Sequence, residues 1–441
     1  MFETIVALAT PPLKSALAIV RLSGNDCFFV VSKMFSKNIE KTETNKIYHG
    51  YIKDGEDIID EVVLLAYKNP RSFTGEDSVE IISHGSPLIF NKIIKTALKN
   101  GARLATNGEY SARAYMHGKL NLMQAESIND LINAETEESK KLCLMALSGE
   151  TTKLIEPIKK SIGDILSLIE VNIDYPEYYD IEEANNEKIV EICRENIQYI
   201  DKLIKDGIKG NIIKDGINVA IVGKPNVGKS SILNALLNEN KAIVTDVKGT
   251  TRDVVEGKVN LNGVVINFFD TAGIRESSDK VEMIGIEKSL EKLDKSDLVI
   301  CVFDSSNFDD EDKEILKLVK DKNTIYVYNK EDLAKEKDND KLYVSALNKS
   351  IDPLKNEIIK RLGLSEENYN NPSIANTREI GILESVKKKL EDILRDTLAN
   401  IPIDIINSEI QEVYLAILSL LGEDNDFDIA KEIFSRFCVG K

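Results

Sequence analysis

The chain has 441 residues and a formal net charge of −17, with 42% hydrophobic and 30% charged residues. This composition is typical of a soluble globular protein, the length favours about three domains, and the acidic balance excludes a generally basic nucleic-acid-binding surface. No stretch approaches the roughly 18 apolar residues that span a bilayer. The five cysteines form no CxxC pair and no Cys/His cluster, which argues against a disulfide framework or structural zinc site and favours a reducing, cytoplasmic location.

The first 118 residues predict an α+β domain. The stretches "SALAIVRLSG" and "DEVVLLAYKNP" predict strands, and the glycine and proline residues that close them predict turns. The stretch "SPLIFNKIIKTALKNG" has helical spacing and ends on Gly101, a residue type suited to a helix C-cap.

From residue 119 the pattern becomes helical. Apolar residues recur at intervals of three and four in "LMQAESINDLINAETEESKKLCLMAL", "TKLIEPIKKSIGDILSLIEVNI" and "EKIVEICRENIQYIDKLIKDG". The stretch "GIKGNIIKDG" then carries three glycines, which predict that the helices break there.

Strand-like and helix-like stretches alternate after this break. The alternation predicts a mostly parallel sheet with helices on both faces. The stretch "RLGLSEENYNNPSIANT" reads as a polar linker, and three helical stretches follow it. The sequence therefore predicts a multidomain α/β plus α fold: an N-terminal domain over 1–118, a helical domain in two parts over 119–214 and 373–441, and an α/β domain over 215–372 inserted between them.

The stretch "GKPNVGKSS" lies between a predicted strand and a predicted helix. It matches G-x-x-x-x-G-K-[ST] with Gly223, Gly228, Lys229 and Ser230. Glycines let backbone N–H groups curl around phosphates, the lysine reaches the β- and γ-phosphates, and the hydroxyl of Ser230 can bind Mg²⁺.

Four further motifs follow in order. "KGTTRD" supplies Thr251 as a second hydroxyl for Mg²⁺, and "DTAG" supplies Asp270 beside the metal and Gly273 near the γ-phosphate. "NKED" supplies Asp332, whose carboxylate can accept from two donors of guanine that adenine lacks, and "SAL" at 345–347 can contact the guanine carbonyl. Together the five motifs predict a Ras-like P-loop G domain that is specific for guanine.

The candidate GTP-binding residues are Asn226, Val227, Gly228, Lys229, Ser230, Ser231, Thr245, Asp246, Val247, Lys248, Gly249, Thr250, Thr251, Asp270, Thr271, Ala272, Gly273, Asn329, Lys330, Asp332, Ser345, Ala346 and Leu347. Ile274 follows "DTAG", where Ras-like enzymes have a glutamine that positions the attacking water. An isoleucine cannot do so, and hydrolysis must use another group, or the domain binds GTP without cleaving it. Glu282 is a candidate, although from the residues alone a solvated helix charge is the better interpretation.

The chain resembles the MnmE (TrmE) family of bacterial tRNA modification GTPases. The resemblance covers nearly the whole chain and includes "TIVALATPP", "SFTGEDSVEI", "HGKLNLMQAE", "TDVKGTTRD", "VEMIGIE" and the ending "FCVGK". It implies a folate-binding N-terminal domain that also dimerises, a helical domain and an inserted G domain. It further implies a GTPase that acts with the FAD-dependent MnmG (GidA), in a heterotetramer or larger assembly. Together they add an aminomethyl-type group, carboxymethylaminomethyl, to carbon 5 of the wobble uridine U34 in certain tRNAs.

The resemblance also implies how hydrolysis proceeds. K⁺ and dimerisation of the G domains activate these enzymes, with K⁺ ligands from Asn226, Thr245, Val247 and Thr250, and with Mg²⁺ ligands from Ser230 and Thr251. The cation takes the place of an arginine finger. Glu282 is implied as the catalytic residue that orients water, while Arg252, Asp253 and Arg275 are assigned to loop ordering.

The implied folate site takes Arg21, Glu80, Lys119 and the terminal Lys441. A carboxylate can pair with the N–H groups of the pterin ring, and cations suit the glutamate carboxylates of a 5-formyl- or methylene-tetrahydrofolate. In the family the Cys-x-Gly-Lys end folds back towards this site. Cys438 is therefore a candidate catalytic nucleophile, whereas a lone cysteine is ordinarily a small buried apolar residue.

Two other classes remain open. A regulatory GTPase of ribosome assembly shares the G-domain motifs, but such proteins usually carry a basic RNA-binding extension, which this sequence lacks. A dimerising scaffold that uses GTP only as a conformational clamp requires that Cys438 and Glu80 be dispensable.

Overall fold

The computed structural model describes residues 3–174, 185–239, 257–270, 293–334, 337–424, 433–435, 437 and 440. Its contacts divide the chain into two compact units. One unit is Met1–Asn129 with Tyr414–Lys441, and the other is Asp130–Val413. Within the described ranges, no helix combines the length and the apolar character that crossing a membrane would require.

The first unit contains a six-stranded sheet flanked by helices. Its strands are β1 Ile5–Leu8, β2 Leu17–Ser23, β3 Lys46–Asp54, β4 Asp57–Tyr67, β5 Ser78–His84 and β6 Arg103–Leu104. Its helices include α1 Cys27–Ser32, α2 Pro87–Lys99 and α3 Glu109–Met116. The strand order is β3-β4-β5-β2-β1-β6, and the pairings are antiparallel except for β1 with β6.

Alternation along these strands explains which face is covered. Val20, Leu64 and Ile81 point to one side and pack in a core with Phe90 and Ile93 of α2. Side chains in a strand alternate between the two faces, so their neighbours along the strands lie on the opposite face. This arrangement confirms the predicted α+β N-terminal fold.

Four helices follow: α4 Leu122–Asn133, α5 Glu137–Leu147, α6 Glu156–Asp174 and α7 Asn186–Asp215. Thr136 caps α5 and Asn185 caps α7, because each side chain accepts a hydrogen bond from a backbone N–H in the first turn. The predicted helical pattern is therefore confirmed in this part of the chain.

A second sheet of six strands follows α7. Its strands are β7 Ile217–Val222, β8 Gly257–Leu261, β9 Val264–Asp270, β10 Leu298–Asp304, β11 Thr324–Asn329 and β12 Leu342–Tyr343. The helices described with it are α8 Lys229–Glu239, α9 Asp310–Leu318, α10 Asp352–Leu362 and α11 Glu366–Asn370. The order is β12-β11-β10-β7-β9-β8, and only the pairing of β8 with β9 is antiparallel. The predicted mostly parallel sheet is confirmed.

Both faces of this sheet are covered. Ile221 and Val302 pack in one core and Val222 and Phe303 in another, as expected for strands that read as continuous apolar stretches. The chain then forms α12 Thr377–Leu398, which packs along α7, and α13 Ile403–Leu421.

The predicted break at "GIKGNIIKDG" is wrong. Helix α7 runs through Gly207 and Gly210 and ends only at Asp215, before Gly216. A Cβ atom on Gly207 would lie 2.4 Å from the carbonyl oxygen of Ile374, and one on Gly210 would lie 2.2 Å from the hydroxyl oxygen of Ser373. These glycines allow the segment before α12 to approach the helix closely.

The predicted polar linker is also incomplete, because it contains helix α11. Ser365 and Asn368 form a capping box at the start of this helix. Tyr369 packs against the core of the second sheet, so this stretch belongs to the packed structure.

Candidate nucleotide site and N-terminal cluster

The phosphate loop lies between β7 and α8, as predicted. β7 ends at Val222 and α8 begins at Lys229. Gly228 has a φ of 98°, in the region that favours glycine. A Cβ atom on Gly223 would lie 2.4 Å from the carbonyl oxygen of Val302. Both motif glycines are therefore required by the backbone path.

The motif lysine contacts the loop itself. Nζ of Lys229 donates to the carbonyl oxygens of Gly223 at 2.8 Å and Lys224 at 3.1 Å. Ser230 follows it and is exposed in the first turn of α8. A helix start presents free N–H groups and a positive dipole end, and the loop with Lys229 can therefore hold phosphate groups.

Asn329 connects three of the predicted motifs. Its side-chain Nδ2 donates to the carbonyl of Val227 at 2.8 Å, and its Oδ1 accepts from the backbone N–H of Ala346 at 3.2 Å. A Cβ atom on Gly228 would lie only 2.1 Å from Nδ2. The buried Asn329 therefore fixes "SAL" and "NKED" against the phosphate loop.

Asp332 is exposed beside this contact. Its Oδ1 accepts from the buried hydroxyl of Ser345 at 2.8 Å. Lys330 has a φ of 63° and pairs with Asp304 at 2.6 Å. Burial acts to raise the pKa of Asp304, but hydrogen bonds from Lys330 and Ser306 outweigh it and lower that pKa. The Asp332 carboxylate can accept from a base without first losing its hydrogen bond to Ser345.

These residues surround a cavity of about 570 Å³. The structure brings the following predicted residues to its wall: Asn226, Gly228, Ser231, Asn329, Lys330, Asp332, Ser345, Ala346 and Leu347. Sequence reasoning missed Asn234, Ala235, Leu333 and Lys349, which also line it. Helical spacing in α8 places Asn234 one turn after Ser230, and that spacing was a usable signal.

Several predicted residues lie outside the described ranges. They are Thr245, Asp246, Val247, Lys248, Gly249, Thr250, Thr251, Arg252, Asp253, Thr271, Ala272, Gly273, Ile274, Arg275, Glu282, Cys438 and Lys441. The backbone of Asp270 is described: it ends β9 opposite Ile221 of the parallel strand β7. The "DTAG" motif therefore begins at the sheet edge from which the phosphate loop also starts.

A second cluster of predicted residues lies on the N-terminal sheet. Arg21 and Glu80 are paired across β2 and β5, and Nε and Nη2 of the arginine donate to Oε1 at 2.9 and 2.7 Å. The guanidinium carbon lies 5.9 Å from the ring centre of Phe73 and 5.6 Å from that of Tyr110. The pair is thus a partly exposed charged site with aromatic neighbours.

The end of the chain reaches this pair. Nη1 of Arg21 donates to the carbonyl of Gly440 at 3.4 Å, and a Cβ atom on Gly440 would lie 2.4 Å from the carbonyl oxygen of Leu8. Lys119 contacts the loop after β4, where its Nζ donates to the carbonyl of Pro70 at 3.0 Å. The structure therefore brings Arg21, Glu80 and the tail backbone together, and the loop that Lys119 contacts also carries Phe73, the aromatic neighbour of Arg21.

A buried ionic network that sequence reasoning missed supports this loop. Arg113 is 1% exposed and pairs with Glu76 at 2.9 Å and Glu109 at 2.8 Å. Burial acts to raise the pKa of Glu109, but hydrogen bonds from Arg103, the Thr106 N–H and Arg113 lower it to about 2. No local pattern identifies a partner 37 residues away, so a sequence signal was absent.

Comparisons with known proteins give the family. The protein-family model described as "MnmE helical domain" matches residues 122–438, and the family model described as "GTP-binding protein TrmE N-terminus" matches residues 4–119. The chain belongs to the MnmE family. It is 42% identical to the tRNA modification GTPase MnmE of Malacoplasma penetrans over 100% of both chains. It is 40% identical to that of Mesoplasma florum, over 100% of this chain and 99% of the other.

Solved structures also resemble parts of this MnmE family member. A single-residue variant of Aquifex aeolicus Era bound to GDP.AlF4− is 30% identical over 39% of this chain and 66% of its own, with a TM-score of 0.29. The cytosolic domain of the T. maritima FeoB iron transporter in GDP form I is 24% identical over 49% of this chain and 85% of its own, with a TM-score of 0.27.

Proposed function

We propose that this tRNA modification GTPase acts with the FAD-dependent protein MnmG in the cytoplasm. Together they add an aminomethyl-type group, carboxymethylaminomethyl, to carbon 5 of the wobble uridine of certain tRNAs, with a one-carbon unit from a tetrahydrofolate derivative. The observation that carries the proposal is that one chain of this family combines the cavity around Asp332 with the separate Arg21–Glu80 cluster. A pure nucleotide switch would have no need of the second cluster.

The GTP part of the proposal rests on the geometry of the described loop. Ser230 is exposed at the start of α8 and suits Mg²⁺. Asn226 is exposed, with a φ of 61°, and suits K⁺ because its side chain carries a carbonyl oxygen at the wall of the cavity. K⁺ would supply positive charge near the phosphates that separate. Thr251 is proposed as the second Mg²⁺ ligand and Glu282 as the group that orients water.

The remaining K⁺ ligands in the proposal are Thr245, Val247 and Thr250. Activation through dimerisation of two G domains belongs to the same proposal. Ile274 motivates both ideas, because an apolar side chain cannot orient water and hydrolysis needs another source of catalytic groups.

The folate part rests on the chemistry of the N-terminal cluster. The Glu80 carboxylate, held by Arg21 at 2.7 Å, suits the N–H groups of a pterin ring, and Phe73 offers an exposed aromatic face beside it. Lys119 and Lys441 would meet the glutamate carboxylates of the folate. Cys438 would act on the one-carbon unit as a nucleophile.

Homodimerisation is supported by exposed apolar residues on the second face of the N-terminal sheet. Leu17, Ile47 and Val63 are 58%, 71% and 36% exposed. The strand register places them on the same face as Arg21 and Glu80. Apolar residues that share one open face mark an interaction surface, and a second copy of the chain is the proposed occupant.

Nucleoside analysis of tRNA from cells that lack this protein tests the proposal. We expect the wobble uridine modification to disappear while pseudouridine in the same tRNA stays at its normal level. Complementation with the intact gene should restore it. Normal wobble uridines in the deletion strain would overturn the proposed reaction and leave the GTPase assignment standing.

A further inference from the structure

Lys224 occupies a position of the phosphate loop at which the motif specifies no residue type. Its Nζ donates to Oδ2 of Asp309 at 2.6 Å, Oδ2 of Asp312 at 2.8 Å and the carbonyl of Asn307 at 3.2 Å. The side chain is 11% exposed. All three donors of the ammonium group therefore have a partner at the start of α9.

The two carboxylates are fixed without help from Lys224. Asp309 caps α9 and accepts from the backbone N–H of Glu311 at 3.1 Å, while Asp312 accepts from the backbone N–H of Asp309 at 3.0 Å. Asp312 is fully buried, and its Oδ1 has no hydrogen-bond partner within the described residues. A buried carboxylate needs a cation, and Lys224 provides it.

The backbone of the same residue meets the motif lysine. The carbonyl oxygens of Gly223 and Lys224 accept from Nζ of Lys229 at 2.8 and 3.1 Å. Gly223 is confined by the carbonyl of Val302, which would lie 2.4 Å from a Cβ atom there. The start of the loop is therefore held by β10 at one residue and by α9 at the next.

We propose that Lys224 and Asp312 are positioning residues for Lys229. Their buried ion pair fixes the two carbonyl groups that hold the Lys229 ammonium before a nucleotide binds. Without this ion pair, the two carbonyl groups could move together with the Lys229 ammonium group. The start of the loop would then occupy the space in which the phosphates bind. With the ion pair in place, the Lys229 ammonium group exchanges its hydrogen bonds to the two carbonyl groups for hydrogen bonds to the phosphates, and the carbonyl groups do not move. Preorganisation of this kind lowers the cost of binding.

The experiment uses the full chain and the substitution Lys224→Met. We expect the association rate constant of a fluorescent N-methylanthraniloyl-GDP to fall and KM for GTP to rise, each about tenfold, as suits loss of a charge-assisted contact. The value of kcat should change by less than about twofold, because the ion pair acts before chemistry. Lys224→Arg should restore both values, since a guanidinium also donates to two carboxylates.

Lys313→Met is the matched control, because Lys313 pairs with Asp310 at 2.7 Å on the exposed side of the same helix. It should change neither value. Lys224→Met leaves Asp312 buried without a cation and can impair folding, so the double variant Lys224→Met/Asp312→Asn, which removes both charges, is measured as well. If the two residues act as one unit, Asp312→Asn alone should match the double variant.

Three results would overturn the proposal. One is an unchanged association rate and KM in the double variant. Another is a fall in kcat at constant KM, which would place Lys224 at the reacting groups. The third is additive effects of the two substitutions. Each measurement depends on the GTP site of the family and is independent of the proposed folate and tRNA chemistry. The association rate is also independent of the proposed K⁺ chemistry, and KM and kcat are compared in KCl for every variant.

Discussion

Asn329 and Val227 are joined by a buried hydrogen bond of 2.8 Å between the side-chain Nδ2 of the first and the carbonyl oxygen of the second. Gly228, the next residue, passes so close that a Cβ atom there would lie 2.1 Å from the same nitrogen. One side-chain amide therefore joins the phosphate loop to the end of β11, and a methyl group added at Gly228 would displace it.

Gly228→Ala should lower the affinity for GDP by at least about tenfold. The new methyl group would displace Asn329, and a φ of 98° is unfavourable for alanine at about 1–3 kcal/mol. Titration calorimetry with GDP measures the loss. Gly363→Ala is the control, since Gly363 has a φ of 61° and no atom within 4 Å of a Cβ atom. Equal GDP affinity in the two variants would contradict the role given to Asn329.

GTP hydrolysis should be faster in KCl than in NaCl at equal ionic strength, and Asn226→Ala should abolish the difference. The physical reason is that, in the proposed function, K⁺ takes the place of an arginine finger and would supply positive charge near the phosphates. Phosphate release is the measurement. Asn262→Ala is a matched control, because Asn262 has a φ of 50° against 61° for Asn226 and lies in the turn between β8 and β9. Equal rates in the two salts for the unmodified chain would refute the K⁺ proposal.

Asp332→Asn should weaken GTP binding and shift the preference towards xanthine nucleotides. The Asp332 carboxylate is expected to accept hydrogen bonds from two donors of guanine, and the amide of an asparagine cannot accept both. The N–H₂ group of that amide can instead donate to the oxygen that xanthine carries. Competition between GTP and XTP for the fluorescent nucleotide measures the shift. Glu331→Gln, one residue earlier, serves as the control. A base preference that does not move in Asp332→Asn would mean that "NKED" has no part in base selection.

The nucleotide site was predictable because its residues belong to short motifs that follow one another in a fixed order. The strand, the glycine loop and the helix of "INVAIVGKPNVGKSS" occupy the predicted positions. Asn329 of "NKED" contacts the loop through its hydrogen bond to Val227. Motifs of this kind depend on local backbone geometry, and local geometry is what neighbouring residues determine.

Contacts between distant segments were not predictable. Gly207 and Gly210 read as helix breakers, yet the partners that require them lie in 373–375, far along the chain. Lys224 gave no signal either, because its partner Asp312 is 88 residues away. At such positions, tertiary contacts between distant segments override local secondary-structure propensity, and a single sequence does not show which distant segments come into contact.

Glu80→Gln should weaken binding of a tetrahydrofolate derivative by about tenfold or more, since hydrogen bonds to a charged group are worth about 1.5–3 kcal/mol. GTP hydrolysis should be unchanged, because the nucleotide cavity belongs to the other compact unit. Equilibrium dialysis with labelled folate and phosphate release give the two values. Glu61→Gln is the control: Glu61 pairs with His49 at 3.0 Å on an adjacent strand. Normal folate binding in Glu80→Gln would refute the proposed pterin contact.

Gly440, near the end of the chain, contacts Arg21 through its carbonyl. Gly440→Ala should weaken folate binding, because its φ is 96° and the methyl group would meet the carbonyl of Leu8. The tail would then lose its contact with Arg21, and the proposed folate contact of Lys441 would be lost with it. Equilibrium dialysis with labelled folate measures the loss. Gly101→Ala is the control, since Gly101 has a φ of 109° and open space around a Cβ atom.

Cys438→Ser separates the thiol from the rest of the tail. It changes one atom, so folate binding and GTP hydrolysis should stay normal, whereas a hydroxyl is a far poorer nucleophile and modification of tRNA should fail. Phosphate release with K⁺ and wobble-uridine analysis after complementation are measured on the same variant. Restoration of normal tRNA would make the thiol a packing residue. Loss of GTP hydrolysis would instead couple the tail to the nucleotide site, because the described residues that line the cavity lie between Asn226 and Lys349 and include none from the tail.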